Sequence, residues 1–445
     1  MRRVVGSWRT RSLSPVVRDL LIVLGSAWAV RAVAIAVWPA SAHSADLDSW
    51  KQVAYQLRQG TNPYATTAIL KWPPFALVLV WFIDHVAVWL GVSFFAVMRA
   101  TLVVAEGAVA VVLYFLMTRF APRREVRRIL LVGICFNPIA ILFSVQHENI
   151  DVFVGLCVVL CLWALVSAER TRDAAGWLAG SLALGLGVFV KTVPLALMPL
   201  LAAGMRTASK LGRTLALALF FGPVVLSLAV VVVFGPHAVL DNVLGYRSFS
   251  GFFGITGLLD LAHLEGVTRV YDRVFTVVLV AGLVVLFRVL WNRGLDAKRT
   301  ILLAGLVLAA IPAVGPGYAP QYAYWFMPAL IASYPLFDDG WRRILLVCYA
   351  VAAVTFVVDY GLDVGLGHFF NGFFGDTGFL HRLGERISTP GAETVVRLPL
   401  FAAFLVVLTA GCRRVWPKAG VEDRSHARTR DGSVNVAMES NKDLR

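Results

Sequence analysis

From Leu215 to Phe234 the chain carries no charged side chain, and apolar runs of comparable length recur almost from end to end. A helix rises ~1.5 Å per residue, so roughly 20 apolar residues match the ~30 Å hydrocarbon core of a bilayer. Continuous apolarity also excludes a transmembrane β-barrel, whose strands alternate between lipid and lumen. With 58% hydrophobic and 15% charged side chains, the chain leaves no stretch for a sizeable soluble domain. The expectation is an all-α integral membrane protein, a polytopic bundle of about twelve transmembrane helices with interfacial helices in its first outer loop.

The formal charge of +14 could suggest nucleic acid, but the arginines stand in short clusters between apolar runs. Such clusters act as topology signals, because basic loops stay on the cytoplasmic side. Arg2, Arg3, Arg9, Arg11 and Arg18 precede the first run, so residues 1–19 are read as a cytoplasmic segment. The membrane domain then covers 20–411, with a first outer loop at 39–91 and Pro73 to Ile83 as a short helix lying along the interface. Ile129 to Val145 reads as one span. Gly235 to Arg273 and about Gly361 to Thr394 read as long outer loops, and Gly315 to Gln321 as a tight outer turn. The polar, mixed-charge tail 412–445 reads as cytoplasmic and disordered. The five cysteines lie in or beside apolar runs with no disulfide or zinc spacing, which assigns them to packing.

On this topology the acidic and histidine-bearing segments collect at one face. Asp46 and Asp48 open the first outer loop, where a carboxylate is placed to accept a proton from an acceptor hydroxyl. The same Asp-x-Asp pair is alternatively a divalent-cation site. Lys71, before Trp72-Pro73-Pro74, is either an anchor at the interface or a partner for a lipid phosphate. His147, Glu148, Asn149 and Asp151 crowd polar groups into a turn between two helices, a costly density near hydrocarbon unless it lines a wet cavity. Lys191 stands at a helix break before Pro194. Gln321 and Tyr322 close a Gly- and Pro-rich turn that could clasp a lipid head. Arg99 and Glu106, seven apart on one helix, read as bundle packing, with contact to substrate as the alternative. Asp260 and His263 read as ordinary loop polarity.

In order along the chain, Asp46, the Gly60-Thr61-Asn62-Pro63-Tyr64 turn, Trp72-Pro73-Pro74, His147 to Asp151, Lys191-Thr192-Val193-Pro194 and Pro320-Gln321-Tyr322 resemble the motifs of the GT-C superfamily of polyprenyl-phosphate-sugar-dependent glycosyltransferases. The similarity is to its bacterial mannosyl and arabinofuranosyl branch, and it departs at Glu148, where glycine is usual. The resemblance implies an inverting transfer at the extracytoplasmic side of the plasma membrane, with both termini cytoplasmic. The donor would be a sugar phosphopolyprenol, mannosyl before arabinofuranosyl, and the acceptor a glycolipid or glycan. Asp46 would be the base, with Asp48 as its nearest alternative. Lys71 would bind the donor phosphate, and Lys191 or His147 would stabilise the leaving phosphate. A transporter or lipid flippase is the competing class, and it predicts broken helices in two repeated halves. No such repeat is visible, and no Walker or Gly-rich phosphate motif calls for a nucleotide.

Overall fold

The structure is a computed structural model that describes residues 14–37, 45–66, 72–171, 174–234, 237, 253–317, 320–360 and 390–416. Every regular element among them is helical. The helices are α1 Pro15–Val37, α2 Ala45–Arg58, α3 Pro63–Thr66, α4 Phe75–Leu90, α5 Phe94–Met117, α6 Arg123–Leu130 and α7 Pro138–Leu142. There follow α8 Asp151–Thr171, α9 Ala174–Val190, α10 Met198–Gly204, α11 Lys210–Phe234, α12 Gly254–Leu261 and α13 Glu265–Arg293. The set closes with α14 Ala297–Val314, α15 Ala323–Ser333, α16 Asp339–Tyr360 and α17 Pro390–Val415. Lys71, most of the 235–252 segment, 361–389 and the tail from 417 lie outside the described residues.

Among the described residues, eight helices are long and apolar enough to cross a bilayer, or nine when one bent pair counts as a span. The sequence leads one to expect about twelve. The difference falls on α9, α15 and the Val193–Gly204 stretch, which are apolar but shorter than the ~20 residues a straight crossing needs.

The bent pair is the stretch from Arg123 to Val145, which turns by 46° at its break. Pro138 has no backbone N–H, so the helical ladder cannot run through it. Asn137 begins α7 instead, its side chain accepting from the Ile139 amide at 2.9 Å while its own amide donates to the Gly133 carbonyl at 2.9 Å. The break frees the Ile134 and Cys135 carbonyls, and Arg31 of α1 donates to both, at 2.9 and 2.6 Å. The same guanidinium makes a two-pronged contact with Glu106 of α5, at 2.7 and 2.8 Å, and the Tyr324 hydroxyl of α15 also donates to Glu106. Arg31 and Glu106 are both fully buried. Glu106 therefore ties three helices and a helix break together, while Arg99 on the same helix points to a different partner.

Expected boundaries move in three places, the last at α17, which begins at Pro390 inside the segment read as outer loop and ends at Val415 inside the segment read as tail. The interfacial helix does not stop at Ile83, because Asp84 is neutralised by Arg58 of α2 at 2.8 Å and is carried inside, 3% exposed. The helix runs on to Leu90 and stops at Gly91, whose φ of 66° forms a left-handed cap. Its Phe75 end packs against Phe153 and Phe189, each 5.8 Å away, and its Gly91 end leads directly into α5. Both ends thus lie near one face of the bundle, called the site face below. The second change is at α13, which begins at Glu265 instead of near Val274. The segment read as loop is partly helical, with α12 turning through His263 (φ 58°) and Asp260 accepting from the Thr268 hydroxyl at 2.8 Å.

Removing one partner of a buried ion pair strands the other charge, at a cost of about 3 to 5 kcal/mol. Glu106→Ala is accordingly expected to lower the thermal unfolding temperature of detergent-purified protein by more than the Arg31→Met/Glu106→Leu double variant does.

Candidate active site

Asp46 lies in the first turn of α2. The helix is held by its apolar face: Leu47 and Trp50 are fully buried, and the Trp50 ring lies 4.0 Å from that of Trp72. The Pro-Tyr turn locks the same corner. Gly60 adopts φ 67°, Asn62 accepts from the Tyr64 amide at 3.0 Å, and the Tyr64 hydroxyl donates to the Trp72 carbonyl at 2.8 Å. The Asn-Pro-Tyr and Trp-Pro-Pro motifs are therefore two halves of one clamp that fixes α2 over the bundle.

Opposite Asp46 is the turn from His147 to Asp151. The Asn149 amide donates to Asp46 Oδ2 at 2.6 Å, and His147 Nε2 lies 3.2 Å from the same oxygen. Asn149 Oδ1 meanwhile accepts from the Asp151 amide at 3.0 Å, which caps the start of α8. Between them, Glu148 adopts φ 55° and ψ 44°, the left-handed conformation that glycine enters freely and other residues enter at a cost. That backbone reversal lets His147 and Asn149 both face Asp46. Glu148 points away, fully buried, and accepts from Arg99 Nε of α5. The departure from glycine thus keeps the backbone shape and adds a charge contact beneath it.

The two carboxyls are pushed apart electrically. Burial raises the Asp46 carboxyl, but hydrogen bonding and charge from His147, the Asn149 amide and Lys191 outweigh it and hold the group below its ordinary range. Burial dominates at Glu148, where Arg99 opposes it and Asp48 adds to it, and the carboxyl is pushed up to about 7. Near neutral pH Asp46 is ionised while Glu148 is divided between its two forms.

Lys191 follows the end of α9. Its Nζ lies 2.9 and 3.0 Å from the two oxygens of Asp151, and 5.0 Å from the ring centres of Tyr322 and Trp325. Those two rings stack at 3.9 Å. The helix break and the Pro-Gln-Tyr turn are therefore neighbours, joined by a cation over an aromatic pair. Gln321 lies beside Tyr322, and its Oε1 is buried with no hydrogen-bond partner among the described residues.

The structure thus brings together Asp46, His147, Glu148, Asn149, Asp151, Lys191, Gln321 and Tyr322. Lys71 falls outside the described residues. Asp48 is exposed and two positions from Asp46, so on a helix the two carboxylates point in different directions. No three metal-ligating side chains cluster among the described residues. Arg99, read first as packing, contacts the site through Glu148. Its only signal was an unexplained charge near the end of a span, and Glu106 on the same helix offered the same signal for a purely structural role.

A carboxyl raised on folding contributes stability that is complete below its unfolded value of about 4.5 and is lost as pH rises through about 7. Stability is expected to fall between these limits by up to ~1.4 kcal/mol per pH unit. Glu148→Gln should flatten that part of the unfolding temperature against pH, measured in detergent.

The profile of Glycosyltransferase family 87 matches residues 71–313, more than half of the chain and all of the site except α2 and the 320–322 turn. No curated protein matches the chain. Among solved structures the chain is similar to ArnT from Cupriavidus metallidurans bound to undecaprenyl phosphate, with a TM-score of 0.48 and 16% identity over 89% of this chain and 77% of that one. By the extent of the profile match, this multi-pass membrane protein belongs to glycosyltransferase family 87.

Proposed function

We propose that the chain transfers a sugar, mannose in the first instance, from polyprenyl phosphate to a hydroxyl of a glycolipid or glycan, on the extracytoplasmic side of the plasma membrane and with inversion. The observation that carries this reading is an ionised carboxylate, Asp46, facing a lysine-bearing helix break across a polar turn. Asp46 accepts the proton of the acceptor hydroxyl as that oxygen bonds to the anomeric carbon. The bond from the anomeric carbon to the phosphate oxygen breaks on the opposite side, and polyprenyl phosphate departs with the bonding pair. A single displacement of this kind inverts the anomeric centre.

The departing phosphate gains negative charge, which a fixed cation stabilises more in the transition state than in the ground state. Lys191 has three N–H donors and directs two contacts to Asp151, which leaves one donor for a phosphate oxygen. Asp151 holds the ammonium in place before the donor arrives. The His147 ring and the Asn149 amide orient Asp46 Oδ2, which leaves Oδ1 to meet the acceptor. Basic residues from Arg119 to Arg128 and at Arg413 and Arg414 fall at the face opposite Asp46, which by charge bias is the cytoplasmic one.

The test is transfer of radiolabelled sugar from mannosyl and arabinofuranosyl phosphopolyprenol, with purified protein in nanodiscs. Asp46→Asn should lower turnover ~10²- to 10⁴-fold in protein that still folds. Normal turnover in that variant would remove Asp46 as the base. Lys191→Ala is expected to lower kcat ~10²-fold with a smaller change in KM, because its contact strengthens as the phosphate leaves.

A further inference from the structure

The Pro320–Tyr322 turn and the start of α15 hold two buried polar atoms with no hydrogen-bond partner among the described residues: Gln321 Oε1, an acceptor, and Trp325 Nε1, a donor. A polar atom that leaves water and gains no partner destabilises the fold, so nearly all such atoms in native proteins are paired. Helical dihedrals continue through Tyr322 (φ −64°, ψ −16°), and the Tyr322 and Trp325 rings, three positions apart, stack at 3.9 Å. Gln321 and Trp325, four positions apart, therefore share a face. Between them Tyr324 donates to Glu106, which anchors the start of α15 in the bundle.

Unpaired buried atoms elsewhere lack this arrangement. Those of Arg99 and Glu148 belong to groups that already meet each other. Trp50 and Gln56, six positions apart on α2, stand ~120° apart around that helix. The Lys191 ammonium lies 5.0 Å from the centre of the Trp325 ring, so whatever completes the Gln321 and Trp325 pair is bound next to the cation that meets the donor phosphate. Phosphate oxygens only accept, and they cannot satisfy Gln321 Oε1. An isoprenoid chain offers neither donor nor acceptor. Sugar hydroxyls offer both. In a displacement with inversion the acceptor approaches from the side of the anomeric carbon opposite the phosphate, beside Asp46, so the sugar nearest Lys191 is the donor's.

Resting on the reading of this chain as a polyprenyl-phosphate-dependent transferase, we propose that Gln321 and Trp325 form the subsite that recognises the donor sugar, Gln321 accepting a hydrogen bond from one of its hydroxyls and Trp325 donating to a hydroxyl oxygen. The pair determines specificity and takes no part in proton transfer. A site built to pair with a hydroxyl rejects an analogue that lacks it, because its own buried groups then stay unpaired. The contact at Lys191 is common to every polyprenyl phosphate, whereas this pair distinguishes one sugar from another.

The experiment measures transfer and equilibrium binding by the full chain in nanodiscs, with mannosyl and arabinofuranosyl phosphopolyprenol, the monodeoxy analogues of each, and bare undecaprenyl phosphate. One sugar donor should bind the wild-type chain ~10- to 100-fold more tightly than undecaprenyl phosphate does, and at least one of its deoxy analogues should lose ~10- to 100-fold in kcat/KM. Trp325→Phe keeps the ring stack and removes the N–H, and Gln321→Leu, the second variant if the first does not fold, removes the amide. Each, checked by its unfolding temperature, should lose the preference for the intact sugar over that analogue and keep its affinity for undecaprenyl phosphate. Equal losses on every ligand including undecaprenyl phosphate, an unchanged deoxy preference in the folded variants, or no tighter binding of either sugar donor by the wild-type chain would each overturn the assignment. Sugar-dependent binding that the variants lose, with no transfer by the wild-type chain, would instead defeat the transferase reading and leave the subsite standing. Transfer whose deoxy preference is indifferent to both variants would defeat the subsite alone.

Discussion

A charge in the middle of a bilayer must find its partners inside the protein, and here that demand is met at Arg31. Its guanidinium occupies the Glu106 carboxylate and two backbone carbonyls at once, so one side chain neutralises an intramembrane charge and repairs the break left by Pro138. The arrangement fixes α1 against α5 and sets where the broken helix bends. The second half of that helix then ends in Phe143 to His147, and so the placement of His147 is tied to the Arg31 contact through a rigid turn. Tyr324, which completes the cluster, belongs to the helix that follows Gln321 and Tyr322. Structural and functional polar groups share the same helices, one turn or two apart.

The site itself is assembled from the first turn of α2 and three short stretches that each depart from regular α-helix. The Asp46 helix is pinned by a turn and a double-proline start. The His147 to Asp151 turn needs a left-handed residue, the Lys191 segment is a break, and the Gln321 segment is a single narrow turn. In a membrane such departures expose backbone groups that hydrocarbon cannot satisfy, and they persist where side chains or a wet cavity satisfy them. Their convergence on one face is what separates this arrangement from a mid-membrane transport site.

Several parts were legible in the residues alone. The helical class followed from apolar run length, and Lys191-Thr192-Val193-Pro194 announced a break because proline cannot continue the ladder. Asp84 was misleading, since a charge ordinarily ends an apolar helix, and nothing local to it reveals that Arg58, twenty-six positions away, covers it. Glu148 was misleading in another way: its backbone conformation is usual for glycine, and its side chain finds Arg99 forty-nine positions earlier. Arg99 and Glu106 share a helix face in sequence, yet one serves the site and the other the bundle.

The sequence by itself determined that the chain lives in a bilayer as helices, and its motif order set out which polar residues belong to one face. Those properties depend on hydrophobicity and on local backbone chemistry, which each residue carries with it. Only the tertiary structure decided the pairings: His147 and Asn149 with Asp46, Lys191 with Asp151 over Tyr322, Arg31 with Glu106. A charge has no preferred partner along the chain, because its energy depends on which groups three-dimensional packing brings within hydrogen-bond distance and on how far that packing excludes water.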